Sequence, residues 1–334
     1  MSAATAPAEI TDARAGSTIV ARLRDNAWIL GLLAILIVLL VFTKAINPRY
    51  GPIPIQGLGT SVLPLALAAV AQAIVVIGGG IDLSIGSMMA LTSVVSATMM
   101  KGQSEEFGVF AVVVVLGLGI VLGAVNGGLV IVTKVPDIVV TLAMSFVWAG
   151  FALLVRNAPG GGAATWLKDL AVGPLGNEWI PRAFIVVIVV VAVIWIPIRR
   201  SRLGLTIYAV GSNRLAAFRS GVPVARTTMA AYILCGLFSA LGGLSLTAST
   251  TIGTPVPGPY TLLSVAAIVL GGVSLAGGRG GVFGPIVAVV VLQLIQTDLT
   301  FIGVDSNIAL VAQGAILIGV VMIGSLVEMR RKSA

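Results

Sequence analysis

The sequence predicts an all-α polytopic membrane protein with about ten transmembrane helices, eight being the alternative count, some of them broken at glycine and with both termini in the cytoplasm. Three observations carry this expectation. First, 58% of the 334 residues are hydrophobic and 10% are charged, whereas about a quarter of an ordinary soluble domain is charged. Second, apolar stretches follow one another with short polar connections, and each crossing of a bilayer core takes roughly 20 apolar residues, so no large soluble domain fits in this length. Third, placing both termini inside puts 14 of the 20 Lys and Arg residues on the cytoplasmic side, which is how topology is encoded. The same clustering explains the net charge of +8 without nucleic acid. Histidine is absent and Cys235 is the single cysteine, which excludes His/Cys zinc sites, disulfides, imidazole haem ligation and His-based catalysis.

Along the chain, residues 1–26 read as an uncleaved cytoplasmic tail, 27–327 as the transmembrane domain and 328–334 as a second cytoplasmic tail. The first span runs from about Ala27 to Thr43, with Trp28 at its interfacial start. Apolar stretches follow near 61–79, 84–100, 108–132, 138–155, 183–198, 228–247, 262–275, 282–297 and 306–326. Short or glycine-broken stretches are expected to be half-helices where protein or a wet cavity surrounds the freed backbone. Residues 156–182, with Pro159, Gly160 to Gly162, Trp166 and Trp179, form an outer loop that is either a linker or a surface for a soluble partner.

Residues 199–226 form a cytoplasmic loop with six arginines and no acidic residue. Thr206 to Ala217 is helix-compatible, and Gly211 and Gly221 bracket it as sharp turns, giving a short docking helix parallel to the membrane.

Gly78-Gly79-Gly80-Ile81-Asp82-Leu83-Ser84 interrupts an apolar region with a carboxylate and glycines. A charge at this depth is costly, so Asp82 is expected to face a partner, a water-filled cavity or the interface; with Ser84 it can also cap the helix beginning near Ile85, and the two roles are compatible. Gly271-Gly272-Val273-Ser274-Leu275 repeats the pattern at an offset of 192 residues, as broken helices in two transporter halves do. Gly79, Gly80, Asp82, Ser84, Asn126, Thr141, Gly271, Gly272 and Ser274 are therefore the candidate pathway or gate residues, with Gln293, Gln296 and Gln313 as further neutral polar groups suited to a polyhydroxylated solute. No G-x-x-x-x-G-K-[ST] occurs, so nucleotide hydrolysis is expected in another chain, and ATP and Mg are not expected as cofactors here. The competing readings are a stand-alone facilitator or secondary carrier for small neutral solutes and, more weakly, a lipid-modifying enzyme, for which no nucleophile with a base is present.

At this point the sequence resembles the permease subunits of sugar-type ABC importers, the group of ribose, xylose, arabinose and galactose permeases. Gly79-Gly80-Ile81-Asp82-Leu83-Ser84-Ile85-Gly86 is similar to that family's G-G-I-D-L-S-x-G, and Gly211-Ser212-Asn213 through Ala216-Ala217 to Ser220-Gly221-Val222 to its G-x-N-x-x-A-A-x-x-S-G-I. Asn126-Gly127, Thr141-Leu142 and Gly277-Gly278-Arg279-Gly280 add support. The resemblance implies a second permease copy, cytoplasmic ATPase subunits that bind ATP and Mg, a periplasmic or extracellular solute-binding protein, and a multi-pass location in the bacterial inner membrane with its lipid. It also implies that Gly211, Asn213, Arg214, Ala216, Ala217, Arg219, Ser220 and Gly221 couple to the ATPase. Val222 in place of isoleucine and Asp137 after Pro136 depart from the pattern.

Overall fold

The computed structural model describes residues 27–305 and, beyond them, 308, 311, 314, 315, 318, 319 and 322. The two tails, Gln313 and most of the stretch 306–326 lie outside the described residues. The described chain is helical: α1 (Ala27–Ile46), α2 (Pro52–Ile77), α3 (Ile85–Met100), α4 (Glu105–Thr133), α5 (Asp137–Val155), α6 (Thr165–Ala171), α7 (Arg182–Val190), α8 (Ile196–Arg200), α9 (Arg202–Ser212), α10 (Arg214–Arg219), α11 (Val224–Thr250), α12 (Tyr260–Leu270) and α13 (Phe283–Phe301). One five-residue π-turn, Val191–Trp195, joins α7 to α8. Among the described residues an antiparallel hairpin, β1 (Pro174–Leu175) with β2 (Asn177–Pro181), lies in the 156–182 loop.

Seven helices among the described residues are long and apolar enough to cross a membrane, while α3 and α12 are shorter. Several predicted stretches shift at their ends. The stretch at 61–79 begins earlier, because Pro52 sits in the first turn where its missing N–H costs nothing. The stretch at 262–275 ends at Leu270 because Gly271 and Gly272 terminate it.

Burial separates inner from outer helices. The apolar window of α2 is 89% buried and that of α11 is 67% buried, whereas α1 is 11% and α5 17% buried, so α2 and α11 form the interior, with α2 packed against α7, α11, α12 and α13. Mid-helix Pro64 leaves α2 without one backbone donor, and Gln293 of α13 donates to the nearby Ser61 carbonyl at 3.2 Å. Between α4 and α11 the contact is backbone on backbone. A Cβ on Gly123 would overlap the Tyr232 carbonyl, and one on Gly236 would overlap the Gly119 carbonyl. Small residues at a four-residue spacing let helices approach this closely in a membrane, where packing replaces the hydrophobic drive.

The 156–182 loop is stitched down. Glu105 accepts from the Thr165 N–H at 2.8 Å and the Thr165 hydroxyl at 2.7 Å. Gly160 and Gly253 exchange backbone hydrogen bonds at 3.0 and 2.8 Å, and the Gly162 N–H donates to the Ala97 carbonyl at 2.9 Å. Gln56 of α2 donates to the Glu178 carbonyl at 3.0 Å. These bonds tie the 156–182 segment to α2, α3, α4 and the end of α11.

Candidate functional site

The chain leaves α2 through a turn that its glycines permit. Gly78, Gly79 and Gly80 return hydrogen bonds to Ile74, Val76 and Val75, and Gly79 takes φ +84, a left-handed residue closing the helix. Leaving α12, Gly271, Gly272 and Val273 bond back to Ala267, Val269 and Ile268 in the same order, with Gly272 at φ +80. The two corners are thus repeats in backbone geometry, but they superpose Gly78 on Gly271. The offset is one residue longer than the sequence pattern suggested, because the helix end and not the side-chain pattern sets the register.

Beyond the first corner Asp82 is fully buried. One carboxylate oxygen accepts from the Ser84 N–H at 2.8 Å and the Ser84 hydroxyl at 2.7 Å. The other accepts from Asn126 Nδ2 of α4 at 3.2 Å and from the Cys235 thiol of α11 at 3.6 Å. Asn126 Nδ2 also donates to Ser84 Oγ at 2.7 Å, and Trp148 Nε1 of α5 donates to Asn126 Oδ1 at 3.2 Å. Four donors converge on a group that only accepts. Asp82 therefore pins the corner to α4 and α11, and through Asn126 to α5.

Capping of α3 differs from the expectation that Asp82 and Ser84 receive its first free amides. Ser84 occupies the N-cap without a side-chain cap bond, and Asp82 binds Ser84 itself. The Gly86 N–H instead receives its acceptor from the Thr261 hydroxyl of α12 at 2.9 Å. Thr141 of α5 holds the corner from a third side: its hydroxyl accepts from the Leu83 N–H at 3.0 Å and donates to the Asp137 carbonyl at 2.8 Å. Beside Gly80, the Tyr232 hydroxyl donates to Asp137 Oδ2 at 3.2 Å, and a Cβ on Gly80 would meet both groups.

The second corner has another environment. Gly272 packs on Trp28 of α1, whose indole donates to the Leu270 carbonyl at 2.7 Å. Ser274 closes its own loop, accepting from the N–H groups of Ala276 and Gly277 and donating its N–H to Arg279, and does not join the Asp82 cluster. What joins the two corners is glycine. A Cβ on Gly211 would overlap the Ile77 carbonyl and lie 2.7 Å from the Gly278 N; one on Gly277 would lie 2.7 Å from the Gly211 carbonyl and 3.0 Å from Gly79 Cα. The Gly278 N–H donates to the Ile77 carbonyl at 2.9 Å. The C-terminal turn of α9 thus sits directly in the junction between the corners.

This corrects the expectation for the 199–226 loop. A single helix from Thr206 to Ala217 bracketed by two turning glycines is replaced by two helices, α9 and α10, that break at Asn213. Gly211 lies inside α9 and is needed for close approach; Gly221, at φ +81, is a true turn with open space where a Cβ would stand. Asn213 starts α10 by accepting from the Ala216 N–H at 2.9 Å, and the N–H groups of Ser220, Gly221 and Val222 close it on Ala216, Phe218 and Ala217. Ala217 is buried, while Arg214, Leu215, Ala216, Phe218, Arg219 and Ser220 are exposed.

Trp148, Cys235, Tyr232 and Thr261 escape a sequence reading of the site. Each meets its partner across 22 to 175 residues, and none stands in a pattern that distinguishes it from an ordinary span residue.

Comparison with known proteins follows the geometry. Residues 55–325 match the family described as branched-chain amino acid transport system / permease component. The chain is 30% identical over 318 residues to the Autoinducer 2 import system permease protein LsrD of Escherichia coli strain K12, covering 91% of this chain and 94% of that protein. The protein of the same name from Shigella flexneri matches with the same identity and coverage. No solved structure matches the chain. With the family match spanning most of its length and the glycine corners, satisfied buried carboxylate and basic 199–226 loop all in one helical body, this chain belongs to the branched-chain amino acid transport system / permease component family, as a multi-pass protein of the bacterial inner membrane.

Proposed function

We propose that this chain is the translocating subunit of an ABC importer for a sugar or a related small polyhydroxylated solute, working by alternating access with ATP hydrolysed in partner subunits. The observation that carries the solute class is the inventory of buried polar groups. Among the described residues these are hydroxyls of Ser and Thr, the amides of Gln72 and Asn126, and two carboxylates, Asp82 and Asp298, with no Lys or Arg. A zwitterionic amino acid calls for positive charge opposite its carboxylate, from a cation or a helix N-terminus, and no buried cation is present among the described residues. A sugar needs hydroxyl and amide partners, which are present. The relatives named above are permease proteins of an autoinducer 2 import system.

Coupling follows from contiguity. The exposed Leu215 and Arg219 of α10 offer an apolar and basic contact to a soluble subunit. Displacing α10 moves α9, whose Gly211 is wedged between the corners at Gly79 and Gly277. Gly79 leads within three residues to Asp82, which holds α4 and α11. Gly79, Gly80, Asp82, Ser84, Asn126 and Thr141 act in this reading as the hinge of one gate, and Gly271, Gly272 and Ser274 as the corresponding corner of the other half. Both termini lie in the cytoplasm with 199–226, and the 156–182 surface receives the solute-binding protein outside. A second permease copy completes the path. A stand-alone facilitator has no use for an exposed apolar side chain on a basic inner helix.

The test is ATPase activity of this chain assembled with its candidate ATPase in nanodiscs, with binding proteins loaded with a panel of sugars and amino acids. Stimulation by a sugar-loaded protein is the expected result. Stimulation by an amino-acid-loaded protein alone overturns the solute class, and nucleotide-independent flux through the chain by itself overturns the importer reading.

A further inference from the structure

A cleft of about 740 Å³ opens beside the inner loop, between the end of α4 and α10 with the start of α11. Lys134, Arg214 and Arg226 line it, and none of the three is ion-paired among the described residues. Lys134 is placed there by a left-handed turn at φ 58 that closes α4. The single carboxylate in the lining, Asp137, already accepts from the Tyr232 hydroxyl. The walls are apolar, with Ile131 and Phe218 prominent. A second groove of about 390 Å³ shares Ile131, Ala225 and Arg226 with the cleft and continues along α11 past Met229 and Ile233, away from the basic mouth and into the apolar span.

We propose that the cleft and groove together bind one anionic phospholipid, its phosphate at Lys134, Arg214 and Arg226 and an acyl chain along Ile131, Met229 and Ile233. Three unneutralised cations at the edge of a span attract a headgroup of net negative charge more strongly than a zwitterionic one, whose own cation offsets its phosphate. A soluble anion would satisfy the cations but leave the adjoining groove unused, whereas a lipid matches both chemistries in the order in which they occur. α10 supplies Arg214 and Phe218 to the cleft and Arg219 to the partner-facing surface, so bound lipid would brace the helix that meets the ATPase. The inference requires a membrane-embedded chain and is independent of the solute.

Native mass spectrometry of the full chain, taken from nanodiscs of phosphatidylcholine alone or mixed with phosphatidylglycerol, tests it. One phosphatidylglycerol retained per chain, with phosphatidylcholine released, is expected. The combined K134A, R214A and R226A variant should lose retention by more than about tenfold, and I131W, which fills the groove without changing charge, should lose it as well. R200A with R202A, on the same basic loop but outside the cleft, should retain it. Equal retention by the triple variant, equal retention of phosphatidylcholine, displacement by millimolar inorganic phosphate, or loss of lipid when the ATPase binds would each overturn the proposal. If the triple variant does not fold, I131W and the comparison of the two lipids still decide.

Discussion

Asp82 shows how much a single buried carboxylate can organise. Its four donors come from the corner itself, α4 and α11. Asp82→Asn replaces an acceptor oxygen with an N–H2 facing at least one donor that has nowhere to turn. Leaving a buried partner of a charged hydrogen bond unmet costs about 2–4 kcal/mol, so the variant should melt well below the parent in detergent and assemble poorly. This differs from what a solute-facing residue would do. A normal melt with abolished uptake would place Asp82 on the solute path. Cys235→Ser keeps a donor in the same place and should change stability by less than about 1 kcal/mol. Cys235 is fully buried, so single-cysteine reporters introduced elsewhere would sit on a quiet background.

The corners and the α9–α10 pair make predictions about elements. Gly211 and Gly221 both stand in the motif that the sequence offers, yet they resist substitution for different reasons. Gly211→Ala drives a methyl into the Ile77 carbonyl and should unseat α9, with uptake and coupled hydrolysis falling together. Gly221→Ala meets nothing within 4 Å and carries only the left-handed backbone penalty of about 1 kcal/mol. That variant should still assemble; reconstituted uptake per ATP hydrolysed is the readout, and a large bulky residue there tests whether α10 must seat closely. Leu215→Asp alters an exposed side chain that is 58% accessible, so folding should be unaffected. Capture of the ATPase should fall more than about tenfold if Leu215 is a docking anchor.

For the whole molecule, the α4–α11 crossing is the contact on which the helical body depends. Gly123→Leu places a branched side chain where the Tyr232 carbonyl stands, and expression of folded protein should be lost. Orientation can be read with cysteines on opposite ends: in intact cells a membrane-impermeant thiol reagent should label Glu178→Cys and spare Ser212→Cys. Labelling in the opposite sense would invert the topology.

Much of this is legible in the sequence. Composition and the apolar stretches forced a polytopic helical membrane protein, because hydrocarbon tolerates only backbone that satisfies itself. The basic 199–226 loop, the two glycine corners and the residues Asp82, Ser84, Asn126 and Thr141 all stood out as exceptions to that apolar background. Their partnerships did not. Local sequence carries no record of which span lies beside which, so Cys235, Trp148 and Thr261 looked like ordinary helix residues until packing brought them to Asp82, Asn126 and Gly86. The same is true of Gly211: sequence permits a turn there, but only the approach of the Ile77 carbonyl shows that the missing side chain makes room for a neighbour. The sequence alone determined what must be buried and where the chain can bend; the tertiary structure decided who meets whom, because contacts across 22 to 175 residues are set by helix packing and not by any periodicity along the chain.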